Sequence, residues 1–272
     1  MHFSLGRQNF YNEIHQSDDQ INLAKAALYI AQEEYPELEV DAYLNALDVM
    51  AAEVEERLPI ERYPLKILKI LNQYLYDDLG YMGNIKDYYN PHNSFLNDVI
   101  DLRTGIPITL SLIYLEIAQR LDFPMVGINM PGHFLIRPDF EDAGIFVDPF
   151  HEGEVLFEQD CEERLTKVYG YPVQLQPSFT APVSPKHLLA RMLTNLKFIY
   201  LNDRDLPKAL AAVERILLLF PDAPKERRDR GLLSYQLGYW SQASQDLEMY
   251  LAMVPQAEDG GMIRQLLEKI GN

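Results

Sequence analysis

The sequence is poor in cysteine and has no long apolar run. Its one cysteine, Cys161, cannot form an internal disulfide, which fits a reducing compartment and predicts a cytoplasmic protein. The longest apolar run, 106–117, contains Glu116 and is too short to cross a bilayer. The first residues lack a basic segment followed by an apolar stretch, so no signal peptide is predicted.

Positive charge is scarce in the first two thirds of the chain. Residues 1–184 contain 12 Lys+Arg and 30 Asp+Glu, a net charge of −18, whereas residues 185–272 contain 12 and 11, a net charge of +1. An acidic surface repels phosphate backbones and anionic lipid, so we expect neither a nucleic acid nor a membrane partner. The shift in charge predicts two domains, at 1–180 and 181–272.

Apolar residues at helical spacing predict helices through most of residues 20–80, the last of them over 65–79 and ending at Gly80. Asn93 or Ser94 is a candidate N-cap for a helix that carries Phe95 and Val99. Pro107 suits the first turn of another helix, which we expect to continue to about Leu121.

From Pro124 the pattern changes to short segments rich in Val, Ile and Phe and bounded by Pro and Gly. Three antiparallel strands are predicted, at 125–129, 133–137 and 144–147. A helix over 157–168 follows them. Three prolines among small polar residues then indicate a linker at 174–185.

The C-terminal part is helical and repeats itself. One fixed offset aligns Ala209 with Ala243 and Pro221 with Pro255, and it equals the tetratricopeptide period of about 34 residues. We predict two repeat units and a final helix that covers their open end. Arrays of this kind generally bind peptides, so a protein or peptide partner is expected.

A helix start at Pro107, the sequence Pro-Gly-His-Phe around His133 and the sequence Phe-Val-Asp-Pro around Asp148 follow one another along the chain. This order resembles the transglutaminase-like branch of the papain-type fold. The resemblance implies a nucleophilic cysteine at the helix start, a histidine base and an aspartate that orients the imidazole. His133 and Asp148 match the last two. The cysteine position falls on Pro107, seventeen residues before Pro124, and proline cannot act as a nucleophile.

The chain as a whole resembles the bacterial SirB-type family, in which a transglutaminase-like domain precedes tetratricopeptide repeats. The phrases that carry the resemblance are Gly-Ile-Pro-Ile-Thr-Leu at 105–110, Pro-Gly-His-Phe-Leu-Ile-Arg at 131–137 and Asn-Pro-His-Asn-Ser at 90–94. The resemblance implies an α+β protein. A helical N-terminal segment would lead into a papain/transglutaminase-like core with a small antiparallel sheet, followed by an all-α array.

Two functions from different classes follow. One is a non-catalytic protein that binds a protein or peptide, with a role in regulation as an extension. The alternative is an amide hydrolase or acyl transferase that uses His133 and Asp148 with a nucleophile other than cysteine, for which Thr109 is the candidate. The enzyme requires a hydrogen bond between His133 and Asp148. A structural role for His133, and a turn-starting role for Asp148, are the simpler alternatives.

Four other expectations follow from the sequence. Ser111 is the next hydroxyl along the helix, and Cys161 is expected to be an inert thiol. No cofactor is predicted. No metal site is predicted either, because His92, His133 and His151 lack a ligand spacing such as i, i+4.

Overall fold

The computed structural model of the protein describes residues 4–140 and 144–271. The chain divides into two compact units, which we call unit 1, up to Leu189, and unit 2, from Ala190 onward. The domain boundary between residues 180 and 181 stays a prediction from the charge distribution.

Unit 1 opens with four helices, of which the first was not predicted and the other three bury faces with the predicted helical spacing. They are α1 (Leu5–Ile14), α2 (Leu23–Gln32), α3 (Val40–Glu55) and α4 (Pro64–Asn72). The helix predicted over 65–79 is confirmed, although its second half, Gln73–Asp78, is a π-helix. Gly80 follows it with a φ of 73°, a left-handed conformation that glycine adopts without strain.

Two short elements then lead to the centre of unit 1. β1 (Met82–Gly83) pairs in parallel with β2 (Thr104–Gly105), and α5 (Leu96–Leu102) lies between them in the chain. The predicted N-cap of α5 is wrong. Phe95 occupies the cap position, because residues Pro91–Ser94 form a 3-10 turn capped by the side chain of Asn90.

α6 (Pro107–Arg120) is the central helix of unit 1 and is almost wholly buried. It begins at Pro107, as predicted, because proline has the φ of a first helical turn and the missing N–H needs no partner there. It contacts α2, α3, α5 and the first two strands of the main sheet. A helix that is apolar all round can be stable only in such surroundings.

The main sheet is an antiparallel meander of four strands in the order β3 (Met125–Ile128), β4 (Leu135–Pro138), β5 (Phe146–Asp148) and β6 (Glu154–Leu156). The three predicted strands are confirmed, and β6 is the one that sequence reasoning missed. α7 (Glu158–Tyr169) follows the sheet in the chain and contacts β6. It ends at Gly170, whose φ is 76°.

The C-terminal helices repeat at the predicted period. α8 (Pro185–Asn202) begins in unit 1, and α9 (Leu206–Leu219), α10 (Pro224–Gln236), α11 (Trp240–Met253) and α12 (Gly260–Gly271) complete unit 2. α11 follows α9 by the offset that aligns Ala209 with Ala243, both where it begins and where it ends. The predicted α+β class is therefore confirmed. No helix in the described ranges combines the length and apolar character needed to cross a membrane.

Candidate functional site

The first turn of α6 is where the resemblance would place a nucleophile. Pro107 is its first residue. The Thr109 hydroxyl donates to the backbone oxygen of Asn93 at 2.7 Å and accepts from the N–H of Ile106 at 3.1 Å. Because Thr109 is completely buried, this geometry gives it a role in holding the helix start.

Asp148 lies at the end of β5, is only 1% exposed and is held by several donors. Arg164 of α7 donates to its Oδ2, and His151 Nδ1 donates to the same oxygen at 2.8 Å. Its Oδ1 accepts the backbone N–H of Phe150 at 3.1 Å. Burial by itself would raise the pKa of Asp148, but the bonds from Arg164 and His151 outweigh it and hold the pKa below its ordinary value.

His133 lies just before β4 and is partly buried. Among the described residues no side-chain hydrogen bond joins His133 to Asp148, although the two lie close enough to interact electrostatically. Burial lowers the pKa of His133, and the nearby Arg164 and His151 act in the same direction while Asp148 opposes them. His133 and Asp148 therefore lie near each other, but they lack the hydrogen bond that the enzymatic hypothesis requires.

His151, and not His133, makes the hydrogen bond to Asp148 that was expected. It closes the 3-10 turn Pro149–His151, which Asp148 begins as N-cap, so the simpler role considered for Asp148, that of starting a turn, is present. The His151 and His133 rings lie 6.4 Å apart between centroids. Its Nδ1 donates to the carboxylate, which makes Nε2 an acceptor whenever the ring is neutral, and the side chain is 44% exposed. The spacing of three residues between Asp148 and His151 was a local signal that sequence reasoning did not use.

The turn after His151 is tied to the helical part of unit 1. The side-chain amide of Asn72 donates to the backbone oxygen of Gly153 at 2.7 Å, and its oxygen accepts from Tyr114 at 3.0 Å. Gly153 also donates its N–H to the backbone oxygen of Asp148 at 3.0 Å. The position of His151 is therefore fixed from both sides.

The remaining candidates are enclosed. Cys161 is completely buried among apolar residues of the sheet and α7, and burial raises the pKa of its thiol to about 12. Ser111 is also completely buried. The described residues contain no group of three or more His, Cys, Asp or Glu that could hold a metal ion. The absence of a cofactor stays a prediction.

The sequence also matches the profiles of two known protein families. The profile described as "Transglutaminase-like superfamily" matches residues 41–194, more than half of the chain. The chain belongs to the transglutaminase-like superfamily. A second profile, "Tetratricopeptide repeat", matches residues 196–268 of this transglutaminase-like protein. The architecture predicted from the resemblance, one domain type followed by the other, is confirmed.

Several relatives share the transglutaminase-like protein's sequence over most of its length. A UPF0162 protein of Xylella fastidiosa (strain 9a5c) is 37% identical, over 94% of this chain and 92% of the relative. A UPF0162 protein of Vibrio cholerae is 27% identical, over 87% and 88%. F-box only protein 21 of Homo sapiens is 31% identical over 66% of this chain but only 29% of its own length. No solved structure matches the chain.

Taken together, the two domain types support a role in protein interaction or regulation. Tetratricopeptide repeats commonly present surfaces for other proteins. What the transglutaminase-like part contributes to that role depends on the chemistry available around Asp148.

Proposed function

We propose that this protein is a non-catalytic member of the transglutaminase-like superfamily that binds a protein or peptide partner, acts in the cytoplasm and belongs with the SirB-type proteins. The observation that carries the proposal is the absence of a reactive, exposed atom at the start of α6. Pro107 lies at the first position of the helix, and the Thr109 hydroxyl is buried and bonded to the backbone. A nucleophile needs both access to its substrate and a base within hydrogen-bonding reach.

The state of the aspartate also supports this proposal. In a catalytic triad the aspartate orients the base and stabilises its protonated form. Here Asp148 forms an ion pair with Arg164 and a hydrogen bond with His151, and among the described residues it has no hydrogen bond with His133. In the described residues this carboxylate therefore does not orient His133 as a base.

Covalent probes directed at serine, threonine and cysteine should leave the native protein unlabelled at Thr109, Ser111 and Cys161. All three side chains are completely buried, and the thiol is protonated at neutral pH because its pKa is raised to about 12. The measurement is mass spectrometry of peptides after incubation at pH 7, with urea-unfolded protein as the positive control for Cys161. Labelling of a native hydroxyl or thiol that disappears in His133→Ala would favour the enzymatic alternative.

Partner binding is expected to depend on the two half-buried imidazoles. Immobilised full-length protein should lose a captured partner when His151 or His133 is replaced by alanine, and should keep it in His15→Ala. His15 is an exposed histidine at the end of α1 and serves as the matched control. Capture that survives both site substitutions, with all variants folded, would place the binding surface elsewhere and contradict a role for this site.

The alternative function keeps one specific support. Burial lowers the pKa of His133, so its ring is neutral at pH 7 and could accept a proton from water. We therefore retain an amide hydrolase that activates water as the second candidate. Hydrolysis of unlabelled peptides by the wild type, absent in His133→Gln and retained in His15→Ala, would establish it in place of the non-catalytic function.

A further inference from the structure

A continuous row of aromatic rings leads to the imidazole that Asp148 holds. The rings of Tyr89 and Tyr88 lie 5.3 Å apart between centroids, those of Tyr88 and Phe150 5.9 Å, and those of Phe150 and His151 5.2 Å. Each pair is arranged edge to face. We call these four residues the aromatic strip. Tyr89 is 68% exposed, Tyr88 37% and the His151 side chain 44%, so both ends of the strip reach solvent.

Phe150 and His151, at one end of the aromatic strip, are held rigidly. Phe150 lies directly against the backbone of Gly83, where a Cβ atom would come within 2.6 Å of the Phe150 oxygen and 2.7 Å of its ring. The carboxylate of Asp148 fixes both the N–H of Phe150 and the ring of His151. A surface that is already ordered loses little conformational entropy when a partner binds.

The two chain segments that carry the strip are acidic. The two segments that form it, 86–89 and 148–154, contain one lysine and four acidic residues: Lys86, Asp87, Asp148, Glu152 and Glu154. Arg164 pairs with two of these acids, so with its charge included the set has a net charge of −2. Glu152 makes no ion pair within the described part of the chain. Aromatic faces attract cations, and an acidic stretch of chain favours them further.

His151 adds a directional group to the same surface. Its Nδ1 donates to Asp148, so whenever the ring is neutral its Nε2 accepts a hydrogen bond and matches a donor on the partner. Ammonium, guanidinium and backbone N–H groups are all donors. An acidic peptide would instead be repelled by the net negative charge of the two segments.

The geometry points to the aromatic strip as a docking site for a cationic peptide segment, one that carries lysine or arginine. The inference rests on the proposed function and adds the chemistry of the partner. Lysine or arginine side chains would lie over the rings of Tyr89 and Tyr88, while a donor of the same segment bonds His151 Nε2. A cation over an exposed aromatic ring contributes about 0.5–1 kcal/mol, a two- to five-fold effect on affinity.

The test uses the full chain and three fluorescently labelled peptides in which glycine alternates with lysine, serine or glutamate. Fluorescence anisotropy at low ionic strength should detect binding of the lysine peptide alone. Tyr89→Ala should weaken that binding by about two- to five-fold. The matched control is Tyr171→Ala, since Tyr171 is 60% exposed, belongs to unit 1 and also contacts a neighbouring tyrosine ring. Its affinity for the lysine peptide should equal that of the wild type.

Two results would overturn the inference. If Tyr89→Ala binds the lysine peptide as tightly as Tyr171→Ala does, the attraction is a general effect of the acidic chain. If the serine or glutamate peptide binds instead and binding depends on His151, the proposed peptide-binding function survives while the cationic partner is wrong. The capture and peptide-hydrolysis experiments separately test the proposed function, so the two failures are distinguishable.

Discussion

Replacing Arg164 with methionine is expected to lower the free energy of unfolding of unit 1 by about 3 kcal/mol at pH 7. Asp148 is 1% exposed, and without the guanidinium its charge remains buried with only His151 and the Phe150 N–H as donors. Removing one partner of a buried ion pair typically costs about 3–5 kcal/mol, because the remaining charge is left uncompensated. We expect the lower end since Arg164 itself is 15% exposed.

Unit 1 needs its own probe in this measurement. The one tryptophan, Trp240, lies in α11 of unit 2, so tryptophan fluorescence reports on the other unit. Pulsed hydrogen exchange of peptides from unit 1 across a urea series gives the required free energy. The matched control is Arg62→Met, whose ion pair with Glu55 is exposed on both sides and should contribute less than about 1 kcal/mol. Equal losses in the two variants would show that Asp148 does not depend on Arg164.

The deficit of Arg164→Met should shrink as the pH falls. In the wild type the depressed pKa of Asp148 stabilises the fold above the unfolded value, near 4, and this contribution is lost as pH falls through the folded pKa. Arg164 is the largest influence that lowers this pKa, so its removal raises it. Protonation of Asp148 in the variant then removes the buried charge, and the two proteins converge. A deficit that stays constant down to pH 4 would contradict this account.

Replacing Gly153 with alanine is expected to lower the free energy of unfolding of unit 1 by about 3 kcal/mol. Gly153 has a φ of 70°, a conformation that costs an L-residue about 1–2 kcal/mol. A Cβ atom would also overlap the side-chain oxygen of Asn72. Asn72 cannot move aside without loss of its bonds to Gly153 and Tyr114, and an unsatisfied buried group costs about 1–3 kcal/mol.

Gly170→Ala is the matched control for this second substitution. Gly170 has a φ of 76°, but an added Cβ would meet nothing within 4 Å, so only the backbone conformation should contribute, about 1 kcal/mol. The same hydrogen-exchange series measures both variants. If Gly153→Ala costs no more than Gly170→Ala, the bridge from Asn72 does not hold the turn that carries His151.

The fold could be predicted from sequence to a large extent because its signals are local. Helical spacing predicted the helices around α6, the proline at 107 predicted where α6 begins, and short Val-, Ile- and Phe-rich segments predicted three strands. β6 was missed because Glu154–Leu156 is too short to show an alternation of its own. The N-cap of α5 was misplaced because the 3-10 turn before it uses Asn90 and moves the helix start to Phe95.

The candidate site was predicted only in outline. The order of His133 and Asp148 along the chain predicted that the two residues lie near each other, and they do. The lack of a nucleophile at Pro107 was visible in the sequence. The bonding around Asp148 was different. Asp148 bonds His151, three residues further along the chain, and Arg164 on α7. The first contact is local and could have been considered, whereas the second depends on how α7 packs beside β5.

The sequence by itself determined the family, the repeat period of the C-terminal helices and the lack of a thiol at the start of α6. These properties are set by residue identity and by spacing along the chain, and both can be read from the sequence without coordinates. Only the tertiary structure decided which imidazole Asp148 holds, and that Tyr88, Phe150 and His151 form one surface. The physical reason is that hydrogen bonds and ring contacts need atoms from separate segments within a few ångströms, a distance that packing alone sets.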